Sequence, residues 1–188
     1  MELLLGLIVG VGLAAACGFR VFVPALGMSI AALTGHVQLT PAFAWLGTWP
    51  ALIAFGTAAV LEVGAFYIPL LDNLLDTVTA PMAVIAGTVL TASSLGDTSP
   101  FLKWTLAAIA GGGVSGIVHV ATAGLRGASS MATAGLGNFA VSSGELVLAV
   151  LLTVLAMLLP VAALLLVIFV VYKLMKRLLG VRRACTLA

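Results

Sequence analysis

The chain has 188 residues and a formal net charge of +2, with 63% hydrophobic and only 7% charged residues. Soluble domains average about 45–50% apolar and about 25% charged residues, so a mean hydropathy of +1.30 excludes a soluble globular fold. It also excludes the broad basic surface that nucleic acid requires. What remains is an all-α, polytopic transmembrane helix bundle over residues 1–188, whose first partner is the lipid bilayer.

Residues 3–19 are apolar, and Glu2 stands where a signal peptide would carry Lys or Arg, so this stretch reads as a retained first span. It reaches Arg20 near the opposite interface, where the side chain either snorkels to headgroups or enters an ion pair. Residues 21–33, with Pro24 and Gly27, are too short to span comfortably and predict a half-helix or re-entrant segment. After a linker containing Pro41 and Gly47, Thr48-Trp49-Pro50 starts a second span that runs to about residue 71. Trp45, Trp49 and Tyr67 lie toward its ends as interfacial anchors. Glu62 sits inside this span with apolar neighbours on both sides. A carboxylate there is costly unless paired or protonated, which makes it a functional-site candidate. Pro69 bends or ends the helix and leaves Asp72 and Asp76 at the surface on one face, as ligands or as solvated acids.

A third span covers about residues 81–95, and Ser99-Pro100 opens a fourth over about residues 101–125. The fourth contains Gly111-Gly112-Gly113, Ser115 and Gly116, a pattern of close packing or local unwinding, with no Lys-Ser/Thr to make a phosphate loop. His119 lies deep in it, as a packing residue or a proton carrier. Arg126 is followed by a small, polar stretch with Ser129, Ser130, Thr133 and Asn138, tolerated at membrane depth only where protein or a water-filled cavity surrounds it. This is the second expected half-segment. Ser142 and Glu145 match a capping box, so Glu145 reads as the start signal of a last span over residues 146–172, interrupted by Pro160. Lys173, Lys176, Arg177, Arg182 and Arg183 follow, five of the eight basic residues, which predicts a cytoplasmic C-terminal tail over residues 173–188. Cys17 in an apolar helix and Cys185 in the tail do not make a structural disulfide.

Gly10, Gly12, Arg20 and Pro69 are answered by Gly111, Gly113, Arg126 and Pro160. Residues 1–76 and 101–172 then form two halves joined by a span within 77–100, and three spans between the copies would make the second inverted.

Gly18-Phe19-Arg20 with Pro24, Glu62 with Ala65, Pro69, Asp72-Asn73 and Asp76, and Arg126 with Ser129-Ser130, Thr133, Gly135-Leu136-Gly137-Asn138, Ser142 and Glu145 form one pattern along nearly the whole chain. In this pattern the sequence resembles the small bacterial membrane proteins catalogued as domain of unknown function 4126, a name that assigns no activity. The resemblance implies a multi-pass protein of the bacterial inner membrane. Two departures stand out. Many members carry an Asp-Lys pair where this chain has Phe66-Tyr67, and a proline where it has Phe139.

The functional expectation is a channel or secondary transporter for an ion or small solute, with a site near Glu62. The candidate binding residues are Glu62, Arg126, Arg20, Asp72, Asp76, Ser129, Ser130, Thr133, Asn138 and His119. The alternative is an accessory or structural membrane protein that handles lipids or protein assembly. No enzyme is expected, because there is no His-Glu-x-x-His, no pair of catalytic acids and no nucleophile with a nearby base. No metal or cofactor is expected either, and the small-residue helix faces would suit a homodimer. Five spans put the N-terminus outside and the C-terminus in the cytoplasm; the alternative is that residues 21–33 cross fully, which makes the span count even and puts both ends on one side. In the five-span topology Glu62 pairs with Arg126 near the outer surface, with Arg20 on the other side of the membrane.

Overall fold

A computed structural model describes residues 2–65, 69–133 and 137–186, the side chains of 69–75, 132, 174–175 and 177–186 excepted. The fold is an all-α bundle, with no strand among the described residues. Its axis is α1 (Glu2–Phe19), against which α4 (Pro69–Ser94), α6 (Gly113–Thr133), α7 (Asn138–Leu158) and α8 (Pro160–Thr186) all pack. Lipid tails are as apolar as leucine, so helices in a membrane associate by close packing at small residues. α1 supplies them: a Cβ on Gly6 would lie 2.2 Å from the carbonyl oxygen of Ser94, and one on Gly18 would lie 2.7 Å from that of Ser115.

These contacts also give the helix directions. Gly6 meets Ser94 and Gly10 meets Thr91, so α4 runs antiparallel to α1. Gly111 meets the same Thr91 and Gly18 meets Val118, so α6 runs parallel to α1. The two helices expected to be inverted copies therefore point the same way. The reason is α2 (Phe22–Leu33), a separate helix of 12 residues that runs back beside α1 and adds a pass. At about 1.5 Å per residue it is too short to cross about 30 Å of hydrocarbon, as expected of a half-helix, yet it returns the chain to the end where α1 begins. Glu2, His36, Gly96 and Met157 line one cavity of about 310 Å³ at that end. The 3₁₀ turn Pro41–Gly47 and α3 (Trp49–Ala65) follow, bent by 60° at their junction. Trp45 packs on Phe55, and Phe43 on Trp104 of α5 (Pro100–Leu106).

Other boundaries differ from the sequence expectation. α3 is described to Ala65 and α4 from Pro69, on either side of residues that lie outside the description, and Pro81 is inside α4 and not at its start. Proline is tolerated inside a membrane helix where neighbouring groups satisfy the freed carbonyl. The backbone of Asp72 and Asp76 is helical, in keeping with their i, i+4 spacing, and Asp76 is half-buried and not at the open surface. Gly111 and Gly112 close a π-helical stretch, Ala107–Gly112, which joins α5 to α6 and is the unwinding that the small residues permit. α6 continues through Arg126 to Thr133, so the start of the second half-segment is ordinary helix. α7 begins at Asn138, which places Glu145 inside the helix and not at its cap.

The expected last span is a hairpin. Leu159 leaves helical geometry (φ −138°, ψ 71°) before Pro160, and α8 folds back along α7. Ala156 and Ala163 both border Gly12, while Val167 shares a cluster with Ala149, Leu152 and Phe19. The described helices thus make seven passes between the two ends of the bundle, those of α2 and α8 by the shorter apolar helices. Among the described residues four stretches, Glu2–Phe19, Asp76–Ser94, Pro100–Met131 and Asn138–Leu158, are long and apolar enough to cross a membrane, or five counting the bent pair Pro41–Gly47 and Trp49–Ala65 as one. Phe22–Leu33 and Pro160–Lys173 are shorter apolar helices.

Two outcomes follow from this path. Reporter cysteines at His36 and Asp97 will label from the same side as the N-terminus, whereas the five-span expectation puts residue 36 on the other side. Membrane-impermeant thiol labelling in a Cys185→Ala background checks it, since the native Cys17 is buried. Gly87→Val will cost about 1–3 kcal/mol by overpacking, because a Cβ there sits 2.5 Å from Ser115 Oγ and 3.0 Å from the Gly111 carbonyl oxygen. Gly64→Ala, with no neighbour within 4 Å, will be neutral or gain up to about 1 kcal/mol. Unfolding in detergent separates the two.

Candidate functional site

The buried polar groups gather where α1 ends, α4 begins and α6 approaches α7. On α6, Ser115, His119, Thr122 and Arg126 are all buried at successive steps of four, three and four residues, a polar stripe on one helix face. On α7, Asn138, Ser142 and Glu145 are buried on the stripe that continues through Ala149, Leu152 and Ala156. Between them stands Arg126, 2% exposed. Its Nε donates to Asp76 Oδ2 at 3.3 Å, its Nη2 donates to Asp76 Oδ1, and its Nη1 donates to Glu145 Oε2. The guanidinium is the one side chain whose planar fork can satisfy two carboxylates at once without losing its proton.

Arg20 completes the network. It follows the last turn of α1 and is 1% exposed. Its Nη2 donates to the Ser142 carbonyl at 2.9 Å and lies 3.6 Å from the same Glu145 Oε2 that Arg126 holds. Arg20 does not snorkel, and it lies at the same end of the bundle as Arg126, because α1 and α6 run parallel. His119 Nε2 is 3.3 Å from the Asp76 carbonyl, which ties α6 to α4 one step further in.

The expected pair of Glu62 with Arg126 is not formed. Glu62 is 4% exposed, and its two oxygens accept the backbone N–H groups of Val21 at 2.7 Å and Phe22 at 3.1 Å. These are the first N–H groups of α2, which have no carbonyl one turn earlier to bond. A carboxylate also complements the positive end of the helix dipole. Arg20 and Arg126 act on Glu62 through space without touching it. Glu62 is thus a cap supplied by α3 to α2, and Arg126 is claimed by Asp76 and Glu145.

The other expected site residues divide. Asp76, 17% exposed, belongs to the network and is its least covered member. Ser129, Ser130, Thr133 and Asn138 instead build the α6–α7 connection: Thr133 Oγ1 donates to the Ser129 carbonyl at 2.7 Å and accepts from Gly137 N at 2.8 Å, while Asn138 Nδ2 donates to Ser130 Oγ at 2.8 Å. The Asp72 side chain lies outside the described residues. Glu145 is the member that the capping-box reading concealed. Its place on the stripe with Ala149 and Leu152 was the signal that it faces the core.

Removing one partner of a buried ion pair costs about 3–5 kcal/mol, because the other charge stays uncompensated. Arg126→Gln strands Asp76 and Glu145 and will lose that much. Glu62→Gln keeps one carbonyl oxygen for an α2 N–H and will lose only about 1 kcal/mol, the usual worth of one hydrogen bond. Equal losses in unfolding measurements would contradict this division of roles.

Residues 7–178 match the model of a family described as Domain of unknown function (DUF4126). No curated protein and no solved structure matches the chain.

Proposed function

We propose a transport function for this chain, which belongs to the DUF4126 family: it moves a small ion or solute across the membrane, with the network around Arg126 as its site. The observation that carries the reading is two arginines and two glutamates at no more than 4% exposure, with Asp76 beside them, in a bundle of apolar helices. Ionisable groups at membrane depth are expensive to keep, and those that face a bundle interior mark ion and substrate pathways.

A second feature supports it. Ser94, Thr91, Ser115 and His119 follow one another along the seam of α1, α4 and α6, from the end where α1 begins toward Asp76. The glycine contacts that close this seam leave no room for a hydrated solute, so the arrangement is that of a closed state. With the basic tail in the cytoplasm, the network end of the bundle would face the cytoplasm of a bacterial inner membrane, and the tryptophan-bearing end the outside.

A second reading, lipid handling, is favoured by a groove of about 230 Å³ whose lining, including Val21, Ala25, Phe55, Met82 and Val89, is entirely apolar. Fluxes of H⁺, Na⁺, K⁺ and Cl⁻ into proteoliposomes test the transport reading. Flux is expected with the native chain and with Glu62→Gln, and is expected to vanish with Arg126→Gln. No flux above empty liposomes for any of these ions would overturn ion transport and leave lipid handling as the better reading.

A further inference from the structure

Arginine side chains do not release protons in proteins, so among the described side chains two fixed positive charges, Arg20 and Arg126, face three carboxylates, those of Glu62, Asp76 and Glu145. If all were ionised, the apolar interior would carry an uncompensated negative charge, an arrangement that burial penalises heavily. The three carboxylates are not equally held. Asp76 takes two N–H bonds from the Arg126 fork, an arrangement that suits an ionised carboxylate. Glu62 takes a backbone N–H on each oxygen, which also favours the charged form. Glu145 has both arginines on Oε2, while its Oε1 is buried and has no hydrogen-bond partner. Ser142 Oγ, one turn earlier on the same inward face of α7, is the same: buried, and without a hydrogen bond.

We infer that Glu145 is the group of this network that takes up and releases a proton, on Oε1, so that the proton is the ion coupled to transport. The coupling rests on the transport reading above, whereas the proton site does not. Protonation adds one H⁺ to Oε1, leaves Oε2 as acceptor for Arg126, and gives the new O–H an acceptor in Ser142 Oγ after a small side-chain rotation. The network then becomes neutral. Release returns the charge to Glu145, with Asp76 as the member nearest the surface.

The groups that bear on Glu145 come from several sides. α6 brings Arg126 and the α1–α2 junction brings Arg20, with Asp76 of α4 on the other side of Arg126, while α6 and α1 also carry the buried His119 and Cys17 and α3 the buried Glu62. α2 has no titratable residue, and α8 has none before Tyr172.

Infrared spectroscopy of the full chain in liposomes, titrated in pH, reads the protonated carboxyl directly through its C=O stretch. A protonated-carboxyl band is expected that disappears as pH rises, is absent in Glu145→Gln, and persists in Glu62→Gln. Ser142→Ala should keep the band and shift its frequency by removing the acceptor, and this variant decides the matter if Glu145→Gln does not fold. No such band in the native chain, a band lost in Glu62→Gln, or one unmoved by Ser142→Ala overturns the assignment. A titrating Glu145 band without any ion flux upholds the proton site and removes the transport reading. Flux that ignores a pH gradient, with no band, does the reverse.

Discussion

Arg126 bonds two other helices at once. Its fork ties α6 to α4 through Asp76 and to α7 through Glu145, and Glu145 then reaches the end of α1 through Arg20. Apolar side chains at these helix ends could be exchanged for one another with little loss, since they pack as well against lipid as against protein. A buried guanidinium cannot, because every alternative arrangement leaves it or a carboxylate unpaired at a cost of about 3–5 kcal/mol. The network therefore contributes less to net stability than to uniqueness: it makes one relative placement of four helices much better than its neighbours.

The small-residue seam provides the complementary constraint. Gly10 and Gly111 both border Thr91, and Gly87 lies against Ser115, so α1, α4 and the start of α6 approach at backbone distance. Thr91 Oγ1 donates to the Gly10 carbonyl at 3.1 Å, and Ser115 Oγ to the Gly112 carbonyl at 3.1 Å, so the hydroxyls along this seam are satisfied without water. Close packing at one end and ion pairing at the other hold the same three helices. The π-helical stretch before Gly113 lets the chain keep both, since an extra residue per turn rotates the polar stripe of α6 toward α4 and α7.

Much of the class is legible from composition: apolar runs of membrane length give helices, and the short run of residues 21–33 gives a half-length α2. The path is not. Residues 21–33 are compatible in length with either re-entry or a short return pass, and the contact of Gly27 with Thr153 and the cavity that Glu2 shares with Met28 and His36 distinguish them. Pro160 was read as an interruption because proline inside an apolar run looks the same whether the helix bends or reverses, and the reversal is decided by Ala163 and Val167 finding α1. Arg126 and Asp76 were visible as site residues by their scarcity. Glu145 was lost because Ser-x-x-Glu is a good local start signal, and the four residues before Ser142 that extend the helix carry no such mark.

The exchange of roles between Glu62 and Glu145 has a physical origin at the break after Phe19. Breaking a helix in an apolar environment frees backbone N–H groups that must find an acceptor. The residues around the break, Phe19, Arg20, Val21, Phe22 and Val23, offer none, since four are apolar and arginine only donates. The acceptor had to come from another helix, and Glu62 is the carboxylate that α3 presents there. Once Glu62 is committed to α2, Arg20 at the same break needs a different counter-charge, and α7 supplies it with Glu145. One chain break thus accounts for the position of both acids, and it leaves Glu145, shared between two arginines and bonded through only one of its oxygens, as the acid free to change state.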